Sequence, residues 1–191
     1  MSKLAGGSLG TETAVYYSEM ESPIGPLTLC ATEAGLCLIE FGTFAGSRDN
    51  LEKWLKVQIG TVILIEDESR LKQAKAQLEA YFAGGLQDFT LPLDMRGTAF
   101  QLQVWEALRG IPYGESASYK DIAVRIGNPQ AVRAVGGANN RNPVPVIVPC
   151  HRVIGAGGTL VGYAGGLAIK TRLLQLEAEH ALPDDTGTYL F

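Results

Sequence analysis

Residues 142–155 read NPVPVIVPCHRVIG, and the way this stretch is read decides how the rest of the chain is organised around it. The run Val144–Val148 is apolar enough to enter the core as a strand. Pro149 then removes a backbone donor and fixes φ just before Cys150, His151 and Arg152. A thiol of pKa about 8.5 is only a few per cent ionised at neutral pH, and a neighbouring imidazole and cation that brought it to about 6 would make most of it thiolate. Adjacent side chains on an extended chain point to opposite faces. His151 therefore serves Cys150 only where the backbone turns, or through a bridging water. A Cys-His pair alone is a weak signal, because a buried cysteine is usually an inert small hydrophobe; Cys30 and Cys37, inside strand patterns, are read that way.

Upstream of this stretch, SYKDIAVRIG and PQAVRAVGGANN read as two short helices joined by a Gly-Asn-Pro turn, with Pro129 expected to open the second helix at its first turn. Such a pair resembles a helix-turn-helix, a pattern shared with many proteins that never touch DNA. The second helix, over 130–140, is almost stripped of bulk: Val132, Ala134 and Gly136 surround one long side chain, Arg133. An ordinary helix is about 10 Å across and the minor groove about 6 Å wide, so a helix meant to approach that groove should be this bare. Tight helix-helix packing selects the same small residues. Further upstream, TAFQLQVWEALRGI reads as a helix capped by Thr98, and downstream a last helix spans about 170–180.

The first half has a different pattern. AVYYSEM, PLTLCAT and GLCLIEF are short, β-rich and separated by turn signals, which predicts an antiparallel meander. SRDNLEKWLKVQIG and ESRLKQAKAQLEAYFAGG predict helices ending at glycine, with TVILIE as a strand between them and DFTLPLDMRG as a connector. The expected fold class is α+β. A flexible segment 1–13 precedes an N-terminal α/β domain over 14–95 with a small antiparallel sheet. A mostly helical, winged-helix-like C-terminal domain over 96–191 then carries the helix-turn-helix and Cys150.

Composition excludes several function classes. With 191 residues, 46% of them hydrophobic, the chain can bury a sizeable core. No run approaches the ~18 apolar residues of a membrane span, and the opening MSKLAGGSLGTET lacks a signal peptide's apolar middle, so no membrane partner and a cytoplasmic location are expected. Three cysteines and two histidines match neither a disulfide scaffold nor a zinc pattern, so no metal is expected. The net charge of −4 conceals an asymmetry: residues 1–95 hold seven Lys and Arg against thirteen Asp and Glu, residues 96–180 nine against five. A basic second half is compatible with a nucleic-acid face, although a solvated basic surface is the commoner outcome.

Taken together, GESASYKDIAVRIGNPQAVRAVGGANNRNPVP, NPVPVIVPCHRVIG and GYAGGLAIKTRLLQLE closely resemble the O6-alkylguanine-DNA alkyltransferases over about residues 96–180. The resemblance implies direct, irreversible repair: a damaged guanine is flipped out of the duplex and its alkyl group passes to Cys150 as a thioether, without a cofactor. It further implies that His151 acts on Cys150 through a bound water and that Glu177 holds His151. Asn142 would tie the turn before the active-site strand to the helix-turn-helix. Arg133 would fill the gap left by the flipped nucleotide, and Tyr119 would crowd the DNA backbone and donate to the departing base. Pro145, Val153, Tyr163, Ala164 and Gly165 would line the lesion pocket, with Ala164 standing where some relatives carry a serine. The partner implied is double-stranded DNA carrying O6-alkylguanine, approached from the minor groove by a monomeric, single-turnover enzyme, at the nucleoid in a bacterium. O4-alkylthymine is a further candidate substrate.

Each assignment has a plainer alternative: Glu177 as an exposed helix residue, Asn142 as a turn former, Arg133 as a solvated charge, Tyr119 as a core aromatic with a wet hydroxyl. Two other functions compete with transfer. A non-catalytic sensor of alkylated DNA would lack the cysteine, and a sequence-specific helix-turn-helix regulator would need base-reading side chains that AVRAVGGA hardly offers. A Cys-His hydrolase is disfavoured because no oxyanion-hole signature is evident.

Overall fold

The computed structural model describes residues 12–181. The expectations for segment 1–13 and for the tail from 182 therefore lie almost wholly outside the described residues; Thr13 already belongs to a strand. β1 (Thr13–Met20), β2 (Leu27–Thr32) and β3 (Gly35–Phe41) form the antiparallel meander that their β-rich composition and intervening turn signals predict. α1 (Phe44–Gln58) then returns the chain to the end of the sheet where β1 starts. β4 (Val62–Glu66) consequently runs parallel to β1, and the sheet, ordered β3-β2-β1-β4, is mixed where a purely antiparallel one was expected. α2 (Glu68–Phe82) starts at Asp67, whose side chain accepts from the Ser69 and Arg70 amides, and buries Leu71, Ala74, Leu78 and Tyr81 at helical spacing.

The connector fixes the second half against the first. Leu36 N donates to Pro92 O at 2.9 Å, and Asp94 N donates back to Leu36 O at 2.9 Å, so residues 92–94 run beside the start of β3. Thr32 Oγ1 holds the Asp94 carboxylate at 2.7 Å, and Arg96 pairs with the same group at 2.8 Å. Gly35 allows this approach. Its φ is +145°, and a Cβ there would overlap the Pro92 carbonyl. Gly35→Ala should therefore cost about 3 kcal/mol, which lowers the Tm of a domain this size by roughly 6–12 °C. An unchanged thermal melt would show that the connector is not held at this point.

In the second half, α3 (Ala99–Arg109) opens on a full capping box between Thr98 and Gln101, and α4 (Tyr119–Arg125) on another between Ser118 and Asp121. α5 (Val132–Asn139) starts later than expected. Pro129 sits in the preceding turn, closed by Ala131 N donating to Asn128 O at 3.0 Å, where the fixed φ of proline suits the second turn position. α6 (Leu167–His180) begins three residues before the expected start near 170. One apolar core crosses between the halves, joining Leu29, Leu78 and Tyr81 to Trp105, Val148 and Leu173.

The apolar run before Cys150 is not the strand that its composition suggests. Pro143, Pro145 and Pro149 remove three ladder donors in seven residues, and the chain folds into a buried turn that keeps an isolated bridge between Pro145 and Val148 and one backbone bond from β3, Ile39 N to Pro143 O at 2.8 Å. Val146 takes a φ of +73°, an uncommon conformation for a β-branched residue. Burial holds it there, since Val146 is 1% exposed.

Candidate active site

Cys150 opens a 3-10 turn, Cys150–Arg152, so the backbone does turn at the point where an extended chain would have separated Cys150 from His151. The turn runs directly into β6 (Val153–Ile154), which pairs in parallel with β5 (Ala117–Ser118) and brings the start of α4, with Tyr119, beside the thiol loop. Asn142 organises that loop from within. Its Nδ2 donates to Val148 O at 2.7 Å and to Cys150 Sγ at 3.0 Å, while its Oδ1 accepts from Val144 N at 3.1 Å. Asn142 also meets the helix-turn-helix through its backbone, its N–H donating to Asn139 O of α5 at 3.2 Å, and Asn139 Nδ2 in turn reaches Cys150 O at 3.4 Å.

His151 and Glu177 are both fully buried, 2.7 Å apart between Nε2 and Oε1. Burial by itself would raise the Glu177 carboxyl, but His151 and Arg152 outweigh it and hold the group at about 2. Against an ionised carboxylate, Nε2 carries the proton, which leaves an acceptor lone pair on Nδ1. That Nδ1 is buried and has no partner among the described residues. Burial lowers the His151 pKa against the pull of Glu177, with the Arg152 and Lys170 charges adding to the lowering. The resting imidazole is neutral at pH 7 and can take up a proton.

The cation next to the thiol in sequence turns away from it. Arg152 donates through Nε to Glu177 Oε2 at 2.9 Å, through Nη2 to Oε1 at 3.0 Å and through Nη1 to Ile111 O at 2.6 Å. Burial instead pushes the Cys150 thiol up to about 11, against the opposing Asn142 hydrogen bond and the Lys170 charge. The thiolate that a nearby imidazole and cation would favour is therefore disfavoured at rest. Desolvation exceeds the help of neighbours, so the proton has to leave during the reaction.

The DNA-side candidates separate into two groups. Arg133 and Ala134 are exposed on α5, and Arg133 makes no ion pair among the described residues. Val132 and Gly136 are half-buried. The Tyr119 ring lies 3.8 Å from where a Gly136 Cβ would be, and its hydroxyl donates to Val161 O at 3.2 Å. Pro145 and Ala164 line a cavity of about 250 Å³ that reaches Asn142, Phe41 and Trp54. Val153 and Tyr163 are buried outside its lining, although Tyr163 meets the Phe41 ring at 5.8 Å and Gly165 leaves room for that ring.

Three functional-looking groups were missed in the sequence. In the sequence Arg152 reads only as a nearby cation. Lys170 is fully buried and donates to Val153 O at 2.6 Å and Val161 O at 2.9 Å, joining the segment after the thiol to the segment that accepts Tyr119. A signal for it existed, since Lys170 and Glu177 share the buried stripe of α6 with Leu173. Tyr81, from α2, donates to Glu177 Oε1 at 2.7 Å. No local pattern announces a partner ninety-six residues away.

This arrangement coincides with a match along nearly the whole chain. A family model described as the ribonuclease-like domain of 6-O-methylguanine DNA methyltransferase matches residues 15–95, and the DNA-binding domain model of the same family matches residues 99–179. The chain belongs to the 6-O-methylguanine DNA methyltransferases. The methylated-DNA–protein-cysteine methyltransferase of Methanosarcina acetivorans is 50% identical to this family member over 163 residues, 85% of this chain and 98% of the relative. That of Mycobacterium tuberculosis is 47% identical over 174 residues, 90% of this chain and 98% of the relative. The crystal structure of the M. tuberculosis O6-methylguanine methyltransferase superposes with a TM-score of 0.75 at 46% identity, covering 90% of this methyltransferase and 98% of that chain. The same M. tuberculosis protein in complex with DNA superposes equally, at 0.75. Among the described residues no helix is long and apolar enough to cross a membrane.

Proposed function

We propose that this methyltransferase repairs DNA by direct reversal, moving the alkyl group of O6-alkylguanine in a duplex to Cys150 in one irreversible transfer. Family membership carries the reaction class, since the relatives are named methyltransferases whose acceptor is a protein cysteine. The observation that carries the acceptor's identity is the thiol held by Asn142 beside an imidazole whose Nε2 is locked by Glu177 and whose Nδ1 is free to accept.

In this reading the lesion is rotated out of the stack, at a cost of a few kcal/mol. Arg133 occupies the space left behind, and the small residues of α5, Val132, Ala134 and Gly136, let that helix enter the minor groove. The Tyr119 hydroxyl exchanges Val161 O for the flipped base. Pro145, Val153, Tyr163, Ala164 and Gly165 surround the base, and without a serine hydroxyl at Ala164 only backbone groups of that loop recognise it. The Cys150 sulfur forms a bond to the alkyl carbon as the bond from that carbon to O6 breaks, and guanine leaves with the electron pair. The thiol proton passes to His151 Nδ1 through a bound water, and the departing guanine takes up a proton. No cofactor is consumed and nothing regenerates the thiol. The protein acts as a monomer, in the cytoplasm and on the nucleoid in a bacterium.

Intact-mass and peptide mass spectrometry after incubation with a duplex containing O6-methylguanine tests the reading. The expected result is a gain of about 14 Da on Cys150, methyl in place of hydrogen. An unmodified Cys150 in a reaction that has restored guanine would overturn it. The role of Arg133 predicts a second result: Arg133→Ala should slow repair in a duplex by one to two orders of magnitude while leaving reaction with the free base within about twofold, because only the duplex has a stack to leave. Equal losses on both substrates would refute it.

A further inference from the structure

We propose that Tyr81, carried on α2 by the first half of the chain, is a positioning residue of the transfer site, whose hydroxyl acts through Glu177 to keep His151 neutral and ready to accept the thiol proton. The inference rests on the reading of His151 as the base toward Cys150. Its basis is the crowding of one carboxylate. Glu177 Oε1 accepts from the Tyr81 hydroxyl at 2.7 Å, from His151 Nε2 at 2.7 Å and from Arg152 Nη2 at 3.0 Å. Oε2 accepts from Arg152 Nε at 2.9 Å and from Gly114 N at 3.2 Å. Five donors meet about four lone-pair sites, so each one added weakens the hold of the carboxylate on the others.

Tyr81 and His151 compete for the same oxygen. The hydroxyl lies 3.5 Å from Nε2, and both side chains are fully buried, so water cannot substitute for either. Other charged and titratable groups around the imidazole are Arg152 from its own turn and Lys170 and Glu177 from α6; Cys150 precedes it in the turn, the buried Tyr163 faces Cys150 and Glu177, and Tyr113 stands against Tyr81 and beneath Arg152. Glu177 is the one anion in this set at rest, so the charge it retains governs how strongly an imidazolium is held. A phenol donating to Oε1 withdraws part of that charge. With Tyr81 in place, His151 loses its proton readily and Nδ1 stays open.

The ring of Tyr81 does separate work. It packs against Phe82, Phe89 and Tyr113 at centroid distances of 5.4, 5.4 and 6.0 Å. Tyr81→Phe keeps that packing and removes only the hydroxyl, so a purely structural role predicts lower stability with transfer chemistry unaltered.

The test is the pH dependence of single-turnover transfer from O6-methylguanine duplex to the full-length protein, in wild type and Tyr81→Phe, with the His151 ring followed by NMR; the chain has only two histidines. Tyr81→Phe should move the acid limb of the rate profile and the His151 titration upward together by about half a unit to one unit, because a carboxylate with fewer donors favours the imidazolium. The plateau at high pH should stay within about threefold. Tyr81→3-fluorotyrosine, whose more acidic hydroxyl donates more strongly, should shift both in the opposite direction. In a His151→Ala background Tyr81→Phe should have no effect on the profile. Superimposable profiles for wild type and Tyr81→Phe, or a shift that persists without His151, would overturn the proposal. Absence of any Cys150 adduct in wild type would instead overturn the transferase reading on which it rests.

Discussion

Cys150→Ser is expected to abolish alkyl transfer while binding to a duplex carrying O6-alkylguanine stays within about twofold of wild type, since one buried atom is exchanged for another and the exposed residues of α5 are left unchanged. A serine hydroxyl can still accept from the Asn142 amide that now reaches Cys150 Sγ at 3.0 Å. It cannot replace the chemistry. The Cys150 thiol, already pushed up to about 11 by burial, can be deprotonated by a neighbouring imidazole as the reaction proceeds; an alcohol has a far higher pKa and gives a harder, less polarizable nucleophile. Quench-flow with excess labelled duplex reads the result. Wild type should plateau at one repaired lesion per protein, because a thioether offers no leaving group under mild conditions and the described residues present no second thiol near His151. Multiple turnover in wild type would remove the suicide mechanism, and transfer by Cys150→Ser would show that the acceptor lies elsewhere.

His151→Ala should slow single-turnover transfer at pH 7.5 by about 10²- to 10⁴-fold, the usual worth of a positioned base, and should change the shape of the pH profile as well. With His151 present, the rate should be flat once the imidazole is neutral and fall in acid as it protonates. Without it the thiol must ionise unaided, so the rate should climb about tenfold per pH unit toward the value of about 11 set by burial. Glu177→Gln should give a comparable kinetic loss, and the double variant should be scarcely slower than His151→Ala, because Glu177 reaches the thiol only through the imidazole. Additive losses would refute that relay. Stability should separate the two residues. Glu177→Gln leaves Arg152 buried without a counter-charge and should cost about 3–5 kcal/mol, whereas His151→Ala leaves the Arg152–Glu177 pair intact and should cost clearly less. The same carboxyl makes the fold sensitive to acid. Its folded pKa of about 2 lies below the ordinary 4.5, so its contribution is complete above pH 4.5 and disappears as the pH falls toward 2. A chemical denaturation series over that range checks the direction.

The sequence alone determined the parts of this protein that depend on neighbours in the chain. The strands β1 to β3, the cap at Thr98 and the pattern around Cys150 were all legible, because β-rich composition between turn signals, cap chemistry and the restraint of proline act over a few residues. Tertiary structure decided the rest. Whether β4 ran parallel or antiparallel depended on where α1 returned the chain, and the apolar run before Cys150 became a buried turn because three prolines denied it a ladder. The state of the thiol was the furthest from view. Sequence placed an imidazole and a cation next to it in the chain and left its ionisation open; Arg152 is aimed at Glu177 and burial favours the protonated thiol. Tyr81 reaches Glu177 from ninety-six residues away. Ionisation is governed by the water excluded from a group and by every charge within a few ångströms of it, and those neighbours come from segments that the linear order keeps apart.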